Sequence, residues 1–257
     1  MSSPVVALLG LGEAGGAIAA DLVAQGVVTC GWDPDPARAV AGVERASSPA
    51  EAAARAGVVL SVNAQAAAVP AALAVANSLT ADHLYADLNT TSAGVKRQVA
   101  AVLAPSGAAF ADVALLAPVP GRGVRTPCLV SGSGAERFAD VFRAFGMPVE
   151  VLGPVPGDAA TRKLLRSVFM KGLAAAVIES LSAAELAGCE PWLRAQIVSV
   201  LTAADEGLVD RLVTGSRQHA RRRVDEMDAA AAAVAELGLE PHVAEAAAAV
   251  LRSLVVP

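Results

Sequence analysis

Val5-Val6-Ala7-Leu8-Leu9-Gly10-Leu11-Gly12-Glu13-Ala14-Gly15-Gly16 decides the reading of this chain. An apolar run of strand length ends at Gly10, glycines follow at GxGxxG spacing, and an alanine-rich segment of helical length, Gly15–Gln25, comes next. By itself a GxGxxG says little; between a buried-type strand and a helix it is a dinucleotide-binding fingerprint. Gly10 permits the tight turn, Gly12 lets backbone approach a pyrophosphate, and Gly15 lets helix pack on strand, while the helix start offers unpaired N–H groups to phosphate. Gly10, Leu11, Gly12, Glu13, Ala14 and Gly15 thus form the candidate cofactor loop. The alternative is a plain strand-to-helix turn.

A second apolar run, Val27–Trp32, ends at Asp33, which lies 23 residues after Gly10. That spacing suits the carboxylate that binds the adenosine ribose hydroxyls. A carboxylate there repels a 2′-phosphate, so NAD is the expected cofactor; Arg38, about one turn on, offers a route to NADP. The competing reading is that Asp33 only starts the turn before Pro34.

Outward from this unit, β-like runs recur at Val58–Val62, His83–Leu88, Ala108–Ala114, Cys128–Ser131 and Val149–Leu152. Segments of helical length, Pro49–Ala56, Ala66–Ser78 and Ser92–Leu103, separate the earlier ones. Apolar strands joined by helices predict an α/β, Rossmann-type doubly wound parallel sheet. Beyond Asp158 no strand signal remains, and alanine and leucine dominate. The expected division is a dinucleotide-binding domain over 1–156 and an all-helical domain over 157–257, with the boundary in Gly153-Pro154-Val155-Pro156-Gly157. Ligands in open α/β sheets bind beyond the carboxyl ends of the strands. Asn63, Asn89 and Thr90 stand at such ends and are candidate cofactor contacts, with turn and capping chemistry as the alternative.

The 257 residues suffice for one large domain or two small ones. Hydrophobic residues make up 54% and the net charge is −5, which excludes intrinsic disorder and argues against nucleic-acid binding. The basic cluster Arg217 with Arg221–Arg223 is flanked by Asp225, Glu226 and Asp228 and reads as a solvated helix face. No apolar stretch has the length of a membrane span, and no basic leader precedes Val5–Leu9, so a cytoplasmic protein is expected. Cys30, Cys128 and Cys189 lack CxxC spacing and the histidines are scattered at 83, 219 and 242, so neither a disulfide frame nor a metal site is expected.

Taken together, Gly10–Gly16, Asp87-Leu88-Asn89-Thr90-Thr91-Ser92, Asp112–Gly132 and Gly157–Ser167 resemble the cofactor, nicotinamide, substrate and catalytic segments of the β-hydroxyacid dehydrogenase superfamily. That superfamily includes 6-phosphogluconate dehydrogenase and the imine reductases, and the C-terminal half resembles a subgroup with a short helical domain. The resemblance implies an NAD(P)-dependent oxidoreductase that interconverts a hydroxy group and a carbonyl on an anionic, hydroxyacid-type substrate. It implies Lys163 as general acid/base: an ammonium beside the reacting oxygen stabilises developing alkoxide charge and supplies the proton. Ser167 stands where the family usually has asparagine and is the second catalytic candidate, positioning substrate together with Lys171, a candidate substrate contact one turn on. The family's Asp-Ala-Pro-Val-Ser-Gly-Gly becomes Asp112-Val113-Ala114-Leu115-Leu116-Ala117-Pro118, so the substrate is expected to depart from the family's standard small hydroxyacids. Arg122, in a glycine-punctuated loop, is a candidate anion contact, and His219 a candidate contribution to a partner's site in a homodimer formed through the helical domain. The rival functions are an imine reductase, which typically replaces the lysine, and a non-catalytic nicotinamide-binding regulatory protein.

Overall fold

The computed structural model describes residues 4–255; the leader reading at Met1–Ser3 lies outside them. The strands are β1 Val6–Leu9, β2 Thr29–Trp32, β3 Glu44–Arg45, β4 Val58–Ser61, β5 Leu84–Asp87, β6 Ala109–Leu115, β7 Cys128–Ser131 and β8 Val149–Gly153. Between them lie α1 Glu13–Ala24, α2 Pro49–Ala54, α3 Ala68–Val75, α4 Ala93–Leu103 and α5 Ala135–Arg143. One eight-stranded sheet runs β3-β2-β1-β4-β5-β6-β7-β8. The order reverses between β1 and β4, which places a topological switch point at their carboxyl ends.

Alternation along the strands builds the two core layers. Val6 and Leu8 of β1 face α1 and α5, joining Ile18, Leu22, Phe138 and Phe142. Ala7 and Leu9 face the other way, joining Ala52, Ala72, Val99 and Leu103 from α2, α3 and α4. Both faces are covered, which is why the strands read as continuous apolar runs rather than alternating ones. Phe138 and Phe142, one turn apart on α5, stack with ring centroids 4.4 Å apart.

The expectation of a parallel sheet needs one correction: β6 and β7 pair antiparallel, Asp112 facing Ser131 and Leu115 facing Cys128. The connection between them is proline-punctuated and carries only a short 3-10 turn at Gly123–Arg125. With no crossover helix to carry the chain back, β7 returns alongside β6 in the opposite sense. The two-residue edge strand β3 and the helix α5 carried no assignment from sequence; β3 is exposed and polar, Glu44 and Arg45, and so shows no apolar run.

Beyond the sheet the described residues are helical: α6 Asp158–Leu186, α7 Glu190–Thr202, α8 Glu206–Gln218, α9 Ala220–Glu236 and α10 His242–Arg252. The chain forms two compact units, Met1–Arg166 and Ser167–Pro257. Within the second, Glu179 of α6 accepts the Val243 and Ala244 N–H groups at 2.7 and 3.0 Å, satisfying the free donors that open α10. No helix among the described residues is long and apolar enough to cross a membrane.

Candidate active site

The glycine loop bends from β1 into α1 at the switch point. Side chains are excluded there: a methyl group at Gly10 meets the Val62 carbonyl oxygen, and one at Gly15 meets the Gly10 carbonyl oxygen. Gly12 caps α1 without a side-chain hydrogen bond, so the first-turn N–H groups stay open to an anion. Asp33 is 5% exposed. Its Oδ2 accepts the Leu11 N–H at 2.7 Å and its Oδ1 accepts the Asp35 N–H at 2.9 Å. The carboxylate therefore fixes the loop while lining the cleft. Arg38 lies over Gly12, its Nη1 3.9 Å from Asp33 Oδ2. Arg45 of β3 holds this corner by donating to the Asp33 and Arg38 carbonyls, each at 2.8 Å. Gly10, Gly12, Glu13, Asp33, Arg38 and Asn63 all line one cleft of about 420 Å³. A bare helix N-terminus, a glycine-cleared surface and a ribose-side carboxylate fit a dinucleotide.

Glu13, Ala14 and Asn63 also line an adjoining cleft of about 610 Å³, with Thr90, Leu115 and Lys163 on its other walls. Lys163, half-buried on α6, donates from Nζ to Thr90 Oγ1 at 2.8 Å. Asn89 turns inward instead. It is 3% exposed, accepts the Asn63 N–H on Oδ1 and donates from Nδ2 to Ser61 Oγ at 3.0 Å. Asn89 thus braces the loops after β4 and β5 and leaves Thr90 to face the cleft.

Beneath the cleft is a charged cluster that sequence reading missed. Asp87 and Asp112 are register partners on adjacent parallel strands, and both are fully buried. Lys96 of α4, 1% exposed, places Nζ 3.3 Å from Asp87 Oδ2, 3.2 Å from Asp112 Oδ1 and 2.7 Å from the Asp87 carbonyl oxygen. Burial pushes the Asp87 carboxyl above its usual range, with the Lys96 ammonium pulling the other way. Asp112 Oδ2 accepts the Gly157 and Ala160 N–H groups at 3.2 and 3.0 Å, and Ser131 Oγ accepts the Ala159 N–H at 3.1 Å. The sheet thereby caps the start of α6, the helix that carries Lys163. A signal for Lys96 did exist: Lys96, Val99 and Leu103 form the buried face of α4, a lysine in a core position.

Arg122 is exposed on the β6–β7 connection and is not among the residues lining either cleft. Ser167, Lys171 and His219 belong to the helical unit, where His219 is an exposed residue at the break between α8 and α9 rather than inside a helix. Among the described residues no group of His, Cys, Asp and Glu could hold a metal ion. The three cysteines are free, and burial pushes the Cys128 thiol up to about 12.

Residues 5–153 match the family model for the NAD binding domain of 6-phosphogluconate dehydrogenase. The chain belongs to that family. Its 6-phosphogluconate dehydrogenase-type domain is followed by a match over residues 184–254 to a family model described as a domain of unknown function. A conserved hypothetical protein from Sinorhizobium meliloti is 31% identical, with 98% of this chain and 88% of that one covered and a TM-score of 0.66. A conserved protein of unknown function, described as structurally similar to 3-hydroxyacid dehydrogenases, is 26% identical, covering 97% and 96%, with a TM-score of 0.64. The imine reductase from Myxococcus stipitatus, solved with NADP+, shares the fold at 19% identity, covering 97% and 93%, with a TM-score of 0.83. An uncharacterised 28.5 kDa protein of Methanothermus fervidus is 30% identical over 148 residues, which spans 56% of this chain and 55% of that relative, about half its length. The N-terminal unit is an NAD(P)-binding domain of 3-hydroxyacid dehydrogenase-like fold, the fold of NAD(P)-dependent oxidoreductases.

Proposed function

We propose that the protein transfers hydride between a nicotinamide dinucleotide and a hydroxyacid or oxoacid, with Lys163 as the general acid/base. The observation that carries this reading is the Lys163 ammonium, 2.8 Å from Thr90 Oγ1, in a cleft that Glu13 of the glycine loop and Asn63 after β4 also line. The bound dinucleotide supplies or accepts the hydride. The chain does the rest. Gly10–Gly15 and the open N-terminus of α1 hold the pyrophosphate, and Asp33 with Arg38 meets the adenosine ribose. Thr90 accepts from one N–H of Lys163 and fixes the ammonium in the cleft. As the reacting oxygen gains charge, Nζ stabilises it and gives up a proton; in the reverse direction the amine takes the proton back.

The helical unit supports a homodimer: Val168, Phe169, Ile178, Trp192 and Val209 are all more than half exposed, more apolar surface than a monomeric helical unit usually shows water. The free cysteines fit a reducing, cytoplasmic compartment.

The test follows reduced-nicotinamide absorbance with both cofactors over a panel of hydroxyacids, oxoacids and cyclic imines, for wild type and Lys163→Ala. Oxoacid turnover should fall about a hundredfold or more in the variant, the range general acid–base catalysis supplies. NADH and NADPH affinities should stay within about twofold, since only the chemistry is removed. Imine turnover that survives the substitution moves the assignment to imine reduction. Cofactor binding without turnover over the whole panel moves it to a regulatory role.

A further inference from the structure

We infer that Lys96 is a positioning residue for this site: its buried ammonium ties the loop that carries Thr90 to the helix that carries Lys163. The inference rests on the proposed role of Lys163.

The geometry is a chain of short contacts with Lys96 at its centre. Lys96 Nζ donates to the Asp87 carbonyl at 2.7 Å and lies in ion-pair range of Asp87 Oδ2 at 3.3 Å and Asp112 Oδ1 at 3.2 Å. One arm leads upward through Asp87, whose Oδ1 accepts the Asn89 N–H at 2.9 Å and so sets the turn that presents Thr90. The other arm leads through Asp112, whose Oδ2 accepts the Gly157 and Ala160 N–H groups and so seats the first turn of α6. Lys163 stands one turn beyond Ala160. The two arms meet again where Lys163 Nζ donates to Thr90 Oγ1, closing the loop of contacts.

Stability alone does not require this arrangement. A buried ion cluster is matched or exceeded in stability by well-packed apolar side chains of similar volume, whereas breaking one partner is costly. What the cluster supplies is a fixed relation between two segments that are 73 residues apart in sequence. Reacting groups demand such precision, since a misplacement of about 1 Å can cost about a hundredfold in rate.

The test must separate positioning from folding. Lys96→Met alone strands two buried carboxylates, so it is paired with the neutral triple variant Lys96→Met/Asp87→Asn/Asp112→Asn. In the triple variant both amides still accept the Asn89 and α6 N–H groups, and only the tie is lost. Two readouts apply to the full chain. The first is the split between kcat and KM with the oxoacid that the wild type turns over. The second needs no substrate: acetic anhydride labels accessible lysines, and mass spectrometry gives the rate at half-buried Lys163 relative to exposed Lys171, Lys96 being 1% exposed in the wild type and absent from the variant.

The triple variant should keep helical content and NADPH affinity, hold KM within about twofold, lose about tenfold or more in kcat, and acetylate Lys163 about threefold faster. A folded triple variant with wild-type kcat and wild-type protection of Lys163 overturns the inference. Turnover that is lost in Lys163→Ala but kept in the triple variant leaves the acid/base reading standing and removes Lys96 from it. A wild type that turns over no substrate, with Lys163 released by the triple variant, keeps the positioning role and removes the hydride-transfer reading.

Discussion

Lys163 Nζ and Thr90 Oγ1 stand 2.8 Å apart, joining the second turn of α6 to the loop that follows β5. Thr90 is the smallest group whose removal isolates that bond. Thr90→Val keeps shape and deletes the acceptor, so kcat should fall about tenfold or more while Thr90→Ser restores most of it, in line with the reach of a positioned proton-transfer group. Steady-state kinetics of the two variants decide it. Loss in Thr90→Ser but not in Thr90→Val points to the threonine methyl, and no loss in either removes Thr90 from the reaction.

Arg38 is the residue expected to bear on the choice between the two cofactors. Asp33 holds the loop through the Leu11 N–H, and Arg38 lies beside it over Gly12, its guanidinium half-exposed and also paired with Asp35 at 3.5 Å. A 2′-phosphate brings charge that Asp33 repels and a guanidinium fork accepts. Arg38→Ala should weaken NADPH about tenfold, a charged hydrogen bond being worth about 1.5–3 kcal/mol, and change NADH by less than about twofold. Fluorescence titration with each cofactor reads the ratio. Equal effects on both place the phosphate elsewhere.

Much of this was legible because both faces of the sheet are covered. Val6-Ala7-Leu8-Leu9 reads as a strand when each residue must be apolar whichever way it points, and the glycine loop reads as a turn because no Cβ fits at Gly10. The antiparallel return of β7 was not legible, because Cys128-Leu129-Val130-Ser131 is equally apolar in either direction and only the missing crossover helix decides. The charged cluster escaped for a different reason. Asp87 is ordinary at a strand end, and neither Asp112 in the middle of β6 nor Lys96 on the apolar face of α4 names its partner from sequence; their meaning lies in the register that sets Asp87 beside Asp112. Asn89 and Thr90 were both read as cofactor contacts, and nothing in Asn-Thr says which of the pair turns inward.

Gly157 is where the sheet-to-helix junction is least tolerant of change. Its φ is +101°, and a Cβ would stand 2.8 Å from the Ala93 Cβ and 3.0 Å from the Ala93 carbonyl oxygen at the start of α4. Its N–H donates to Asp112 at 3.2 Å. Gly157→Ala should destabilise the protein by about 2 kcal/mol or more, combining the positive-φ penalty with the clash. Urea unfolding measures it; a change below about 0.5 kcal/mol, the ordinary surface value, contradicts the tight packing of α6 on α4.

The buried Asp87 carboxyl gives stability a pH dependence of known sign. Burial raises it above the 3.8 of an ordinary aspartate, with Lys96 opposing, so between pH 3.8 and the native value the folded chain holds the proton more firmly than the unfolded one. Stability then falls as pH rises across that window: the contribution is full below the unfolded value and gone above the native one. Asp87→Asn removes it. The unfolding free energy of wild type minus that of the variant should therefore decrease from pH 4 upward and level off once Asp87 is ionised in both states. Parallel curves for the two proteins would show that Asp87 titrates alike folded and unfolded, which a carboxyl buried between Lys96 and Asn89 does not do.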